Sequence, residues 1–266
     1  MREIGALLRA SWRTESSYRV SMLLSLLSLV VMVVPLYFVA NALQPTMGST
    51  ISSQSQQYFA FVLLGATVYS LLNACTSALP TALASAIGRG TLEAFLGTPT
   101  HVAVLFAGMS AYSIAWAIFR AILMVVVGVA LGAQLYWTGL PATLGILVLL
   151  VLAYGSVGLM GAALLLRFRT TGPLLTATLT VSALLGGVYY PTHVIPSWLQ
   201  EVSRALPLSY GLRAARQATL LGQPFHVFSH DVIVLAMYVA VLLPVGLLSV
   251  GFALRHARHS GTLGQY

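Results

Sequence analysis

The sequence predicts an all-α integral membrane protein, and three observations carry that prediction. Of its 266 residues, 58% are hydrophobic and only 7% are charged, whereas a soluble domain carries about a quarter charged. The mean hydropathy is +0.90. The apolar residues also gather into runs long enough to cross a hydrocarbon core as helices, which takes about 20 residues. Lipid admits only helices and closed barrels, because every backbone polar group must be satisfied internally. Barrel strands would show short alternating patterns, which are absent from this sequence.

The formal net charge is +8, and all the positive charge is arginine, since there is no lysine. These arginines are scattered between apolar runs and form no continuous basic patch, so nucleic acid is not expected as a partner. They are expected to flank membrane spans. Cys75 is the sole cysteine and lies inside an apolar run, which excludes an intrachain disulfide. The first apolar run ends in Asn41-Ala-Leu-Gln-Pro45 rather than at a small-residue cleavage site, so no cleavable signal peptide is expected.

Taken in order, residues 2–18 predict an amphipathic helix. Ile4, Leu7, Leu8 and Trp12 share one face and Arg2, Arg9 and Arg13 the other. Such a helix lies in the membrane interface, with its arginines toward anionic headgroups; the alternative is a solvated basic terminus. Six spans follow, expected near Val20–Ala42, Tyr58–Ile87, Val102–Leu131, Ala142–Leu166, Pro173–Tyr190 and Val232–Leu254. In the fourth, Gly155, Gly158 and Gly161 suggest a surface for close helix packing. Gly186 and Gly187 are expected to bend the fifth.

Orientation follows from arginine placement. Arg2, Arg9, Arg13, Arg19, Arg89, Arg167, Arg169, Arg255 and Arg258 fall on one side, while loops 43–57 and 132–141 carry no charge. Only Arg204, Arg213 and Arg216 lie on the other. The positive-inside bias puts both termini in the cytoplasm.

Two connecting segments stand out. Residues 88–100 read Gly-Arg-Gly-Thr-Leu-Glu-Ala-Phe-Leu-Gly-Thr-Pro-Thr. Thr91 can cap a short helix over Leu92–Leu96 that Gly97 and Pro99 end, and Glu93 can pair with Arg89 four residues earlier. A short cytoplasmic helix of this kind suits docking into a groove on a soluble partner.

The second segment runs from Gly187 to Arg216. Pro191 and Pro196 break any helix arriving from the fifth span. An amphipathic helix is expected next, with Trp198, Leu199, Val202, Ala205 and Leu206 on one face and Gln200, Glu201 and Arg204 on the other. Pro207 is expected to close it, and a second helix to run from Ser209 to Leu221, stopped by Gly222 and Pro224. The pair predicts a re-entrant hairpin at the membrane surface, anchored by Trp198 and Tyr210.

These two segments, Arg89-Gly-Thr-Leu-Glu…Gly97-Thr-Pro and Pro191…Ile195-Pro-Ser-Trp-Leu-Gln…Pro207-Leu-Ser-Tyr-Gly…Arg216, together with the basic first helix and six spans, resemble the membrane subunit of type-2 ABC transporters. The resemblance covers the whole length, and the hairpin is closer to the drug-exporter type than to the polysaccharide-exporting branch. It implies a single transmembrane domain over 1–266, with residues 1–19 as connecting helix, 88–100 as coupling helix and 191–222 as outer hairpin. Arg89, Gly90, Thr91, Leu92, Glu93, Phe95, Thr98 and Pro99 would then couple to an ATPase. Pro191, Pro196, Trp198, Pro207, Tyr210 and Arg216 would form the outer gate.

A Walker A loop needs a lysine to reach the phosphates, so ATP and Mg are expected on a separate ATP-binding subunit, present in two copies. A second membrane subunit, expected as a homodimer, would complete the path, with membrane lipid around it. No cofactor or metal is expected on this chain. The expected location is the bacterial cytoplasmic membrane, and the expected cargo is a hydrophobic drug, a natural product or a lipid-like molecule.

Other residues admit more than one reading. Arg120 lies deep in the third span, where a charge costs about 2.5–3.5 kcal/mol. It either faces a hydrated translocation path or bonds to backbone carbonyls and snorkels outward. His226-x-x-x-His230-Asp231 has a metal-ligand spacing only if helical; otherwise it belongs to a surface linker. An intramembrane protease is disfavoured, because the histidines sit in loops or tails and His-Glu-x-x-His is absent. A secondary transporter is the alternative from another class, though it would be expected to show internal repeats or ionisable relays within its spans.

Overall fold

The computed structural model describes residues 19–91, 102–168 and 172–259, and all regular structure among them is helical. The interfacial helix expected over 2–18 lies outside the described residues. Four long helices come first: α1 (Arg19–Ile51), α2 (Tyr58–Gly88), α3 (Val102–Ala130) and α4 (Leu140–Phe168). They are followed by α5 (Gly172–Leu185), α6 (Ser197–Arg204), α7 (Pro207–Thr219) and α8 (Phe225–His259). Five of these, α1–α4 and α8, are long and apolar enough to cross a membrane. The remaining expected span begins as α5, only 14 residues long, and gives way to turns from Gly186 onward.

Helices α2 and α4 form the centre. α2 packs on α1, α3 and α4, and α4 packs on α2, α7 and α8. The main core joins Leu72, Leu150, Tyr154, Leu208, Leu212 and Leu235. A second core, around Leu29, Val33, Phe61 and Met124, fastens α1 and α3 to the first half of α2. A third, around Leu83, Phe106, Leu166 and Val250, closes the opposite end.

The close approach of α2 and α4 has a chemical cause. Pro80 lies inside α2 and brings no N–H, so the carbonyl of Thr76 loses its helical partner. Gly158 comes against that carbonyl: a β-carbon there would lie 2.5 Å from Thr76 O. The Thr76 hydroxyl in turn donates to Tyr154 O at 3.2 Å. The expected glycine surface is thus divided, with Gly158 on α2, Gly161 against Leu175 of α5, and Gly155 in open space.

Several boundaries differ from the sequence expectation. The uncharged loop expected at 43–57 is helical as far as Ile51, with Pro45 inside the helix. Pro207 does not close the first hairpin helix; α6 stops at Arg204, and Pro207 opens α7 at the first helical position. An orphan N–H is dispensable there and proline fixes the right φ. The linker expected around His226 is the first two turns of α8.

Candidate functional site: the hairpin end and the Arg89 loop

Arg216, on α7, was expected at the outer surface but is only 1% exposed. Its guanidinium ties four segments together. Nη1 donates to Gly187 O at 2.8 Å and to Gln54 Oε1 at 3.3 Å. Nη2 donates to Val188 O at 3.0 Å and to Phe61 O at 3.2 Å. The carbon between them sits 3.4 Å from the Phe61 ring centroid, in cation–π contact. Burial draws its pKa down to about 9, so it stays protonated at neutral pH. The charge is balanced by oxygens and a ring face rather than by a carboxylate.

That geometry depends on residue 65. A β-carbon on Gly65 would overlap Val188 O and come within 2.8 Å of Arg216 Nη2. Gly187, as expected, makes the bend, with φ +82°. Around this knot, Tyr58 donates to Tyr189 O at 3.0 Å, and the Tyr136 N–H donates to Thr219 O at 2.7 Å. The hydroxyls of Thr143 and Thr219 also bond to each other. The α1–α2 loop, the α3–α4 loop, the turn after α5 and helix α7 are thereby held as one unit.

A second tie joins the hairpin to the last helix. Arg213 Nε and Nη2 donate to the two oxygens of Asp231 at 2.6 and 2.5 Å. These bonds hold the Arg213 pKa above its ordinary value. They also commit Asp231, which removes it from the metal reading of His226 and His230. Among the described residues no three histidine, cysteine or acidic side chains are grouped to hold a metal.

The amphipathic face expected on α6 does not turn inward. Trp198 is 68% exposed and Val202 is exposed, while Ser203 is the buried residue. Tyr210 is half-buried, Pro191 is buried and Pro196 is exposed. Arg120 sits half-buried on α3, and its Nε is buried without a hydrogen-bond partner.

At the other end, α2 finishes in a Schellman motif. Gly90 takes φ +65°; its N–H bonds to Ile87 O at 2.9 Å, and the Thr91 N–H to Ala86 O at 3.0 Å. Glycine suits this left-handed position because a β-carbon would be strained there. The Thr91 hydroxyl also turns back to Ala86 O, at 3.3 Å, and exposed Arg89 folds onto Ser85. Leu92, Glu93, Phe95, Thr98 and Pro99 lie outside the described residues.

Sequence reasoning picked out Arg216 but not its partners Gln54, Phe61 and Gly65, nor the Arg213–Asp231 pair. The available signal was the Arg213-x-x-Arg216 spacing on a short helix in an otherwise apolar region, followed by a lone Asp231.

Long apolar helices around a buried polar knot, with two short helices before the last long one, define an all-helical integral membrane protein. The family model described as ABC-2 type transporter matches residues 2–220, so the chain belongs to that family. It is 28% identical over 189 residues to Nodulation protein J of Rhizobium leguminosarum bv. viciae, covering 69% of this chain and 71% of that one. It is 29% identical to Nodulation protein J of Rhizobium leguminosarum bv. trifolii, covering 69% and 70%. For Nodulation protein J of Rhizobium meliloti (strain 1021), the identity is 28% over 65% of this chain and 66% of that one.

Proposed function

We propose that this chain is the membrane-spanning permease subunit of an ATP-driven exporter in the bacterial cytoplasmic membrane, with both termini cytoplasmic. The observation that carries the reading is the family match over 2–220, which takes in both the 88–100 segment and the hairpin through Arg216. The chain performs no chemistry itself. With no lysine it carries no Walker A loop, so ATP and Mg belong to a separate ATP-binding subunit in two copies. Two identical membrane subunits line the path, and the apolar helices favour a hydrophobic drug, natural product or lipid-like cargo.

In this reading residues 1–19 are the connecting helix, 88–100 dock on the ATPase, and 191–222 form the re-entrant outer hairpin. Closure of the ATPase pair moves the 88–100 segment. Helix α2, which starts at the Arg216 knot and ends at Gly88 just before Arg89, carries that movement to the hairpin. Coupling of this kind requires contacts that differ between two states.

The test is mild-detergent purification of the tagged chain from its native cells, with mass spectrometry of its companions. A stoichiometric companion bearing a Walker A loop is expected. A lone chain that transports without ATP overturns the reading in favour of a secondary transporter.

A further inference from the structure

The family match leaves one feature unassigned, a polar cavity of about 330 Å³ at the hairpin end. It is lined from α6 by Gln200, Ser203 and Arg204, and from α7 by Ser209, Tyr210 and Arg213. Thr192 and His193 from the preceding turn, and His230 from α8, complete it. We propose that this cavity binds an anionic, phosphate-bearing group.

Every lining residue carries a hydrogen-bonding side chain, in a protein that is 58% hydrophobic. None of them is a carboxylate. The two acidic groups nearby are engaged with the arginines without lining the cavity: Glu201 accepts from Arg204 Nη1 at 2.6 Å, and Asp231 accepts from Arg213 Nε and Nη2. That leaves Arg213 Nη1, and Nε and Nη2 of Arg204, with no protein acceptor among the described residues. Asp231 also fixes the plane of the Arg213 guanidinium, so its free edge is presented without further ordering. A planar fork of donors beside two imidazoles and a phenol matches a phosphate oxyanion.

The volume falls within the range of about 300–1,000 Å³ usual for small-ligand sites. A second cavity, of about 370 Å³, between α2, α3, α4 and α8 near Cys75, Leu79, Phe106 and Leu247, has no charged group in its lining and offers an anion nothing. Two sources supply the same chemistry at the polar cavity: the headgroup of an anionic phospholipid, or a free phosphate or phosphorylated solute. The exposed Trp198 and Val202 on α6 adjoin the cavity residues Gln200, Ser203 and Arg204, which places an apolar surface for acyl chains beside it.

The full chain in neutral detergent is titrated calorimetrically with dihexanoyl-phosphatidylglycerol, dihexanoyl-phosphatidylcholine and inorganic phosphate. The same titrations are run on Arg204→Gln and His193→Gln, exposed positions whose replacement leaves the core intact. Saturable binding of phosphatidylglycerol, weakened about tenfold or more by each variant with an unchanged melting temperature, supports the site. Binding of inorganic phosphate as well identifies the phosphoryl group alone as the determinant, and its absence identifies the lipid headgroup. Equal binding of the two lipids, binding unaffected by both variants, or no binding of any probe overturns the proposal. No ATPase enters the assay, so its outcome is independent of the permease reading.

Discussion

Gly65 lies against the carbonyl of Val188 so closely that the β-carbon of any other residue would overlap it. One helix of the central pair is thereby pressed onto the turn that follows α5, and the Arg216 guanidinium closes over the contact. Gly65→Ala is expected to lower stability by about 1–3 kcal/mol, the usual cost of overpacking. Gly155→Ala, with nothing within 4 Å of the added carbon, is expected to raise it by about 0.5–1 kcal/mol through helix propensity. Thermal unfolding of both variants in the same detergent checks the opposite signs.

Arg216 is expected to resist even conservative replacement. Arg216→Leu strands the carbonyls of Gly187 and Val188 in a buried place, at about 1–3 kcal/mol for each group. Arg216→Lys cannot span four acceptors on three segments with a single ammonium and is expected to recover little. Melting temperature and transport should fall together in both variants; full rescue by lysine would show that charge alone matters.

The Arg213–Asp231 pair joins a half-exposed guanidinium to a buried carboxylate, with side-chain exposures of 44% and 8%. A double-mutant cycle with Arg213→Gln and Asp231→Asn should return a coupling of about 1 kcal/mol, at the upper end for solvated pairs. Denaturation midpoints of the four proteins measure it.

The loop after α2 is expected to govern coupling. Glu93→Ala and Phe95→Ala should leave membrane insertion and ATP hydrolysis by the assembled transporter in place while export falls about tenfold. Export measured against hydrolysis separates the two, and wild-type export by both variants removes these residues from the coupling role.

Arg120 is expected to serve transport at the expense of stability. Its Nε is buried without a partner, and a central arginine costs an isolated span about 2.5–3.5 kcal/mol. Arg120→Leu should therefore be as stable as the parent or more so, yet transport about tenfold less. Unchanged transport would assign it to packing alone.

The long spans were legible because apolar length is a local property. Tyr58–Ile87 and Val102–Leu131 were placed to within a residue of α2 and α3. What escaped depends on contacts distant in sequence. Arg216 finds acceptors 155 and 162 residues away, and no periodicity reports that. His226, His230 and Asp231 suggested a linker because they are polar, yet α8 extends through them with Asp231 held by a helix 18 residues back. In the sequence Pro207 reads as a terminator, whereas the same ring begins a helix equally well; the difference lies in which side has the hydrogen bonds to lose. The cavity at the hairpin was invisible for a related reason, since its residues come from three helices and a turn.

Helix α2 has 31 residues, which at 1.5 Å per residue makes a rod about 46 Å long. One end is clamped by the Arg216 knot and the other finishes cleanly at Gly90. On such an arm, a tilt of one degree about the clamp would displace the Gly90 end by about 0.8 Å. The gearing also runs in reverse, and a push of several ångströms on the loop becomes only a few degrees at the knot. In the proposed coupling, α2 would thus act as a reducer, turning a coarse stroke at one face into a fine adjustment at the close-packed carbonyls of the other.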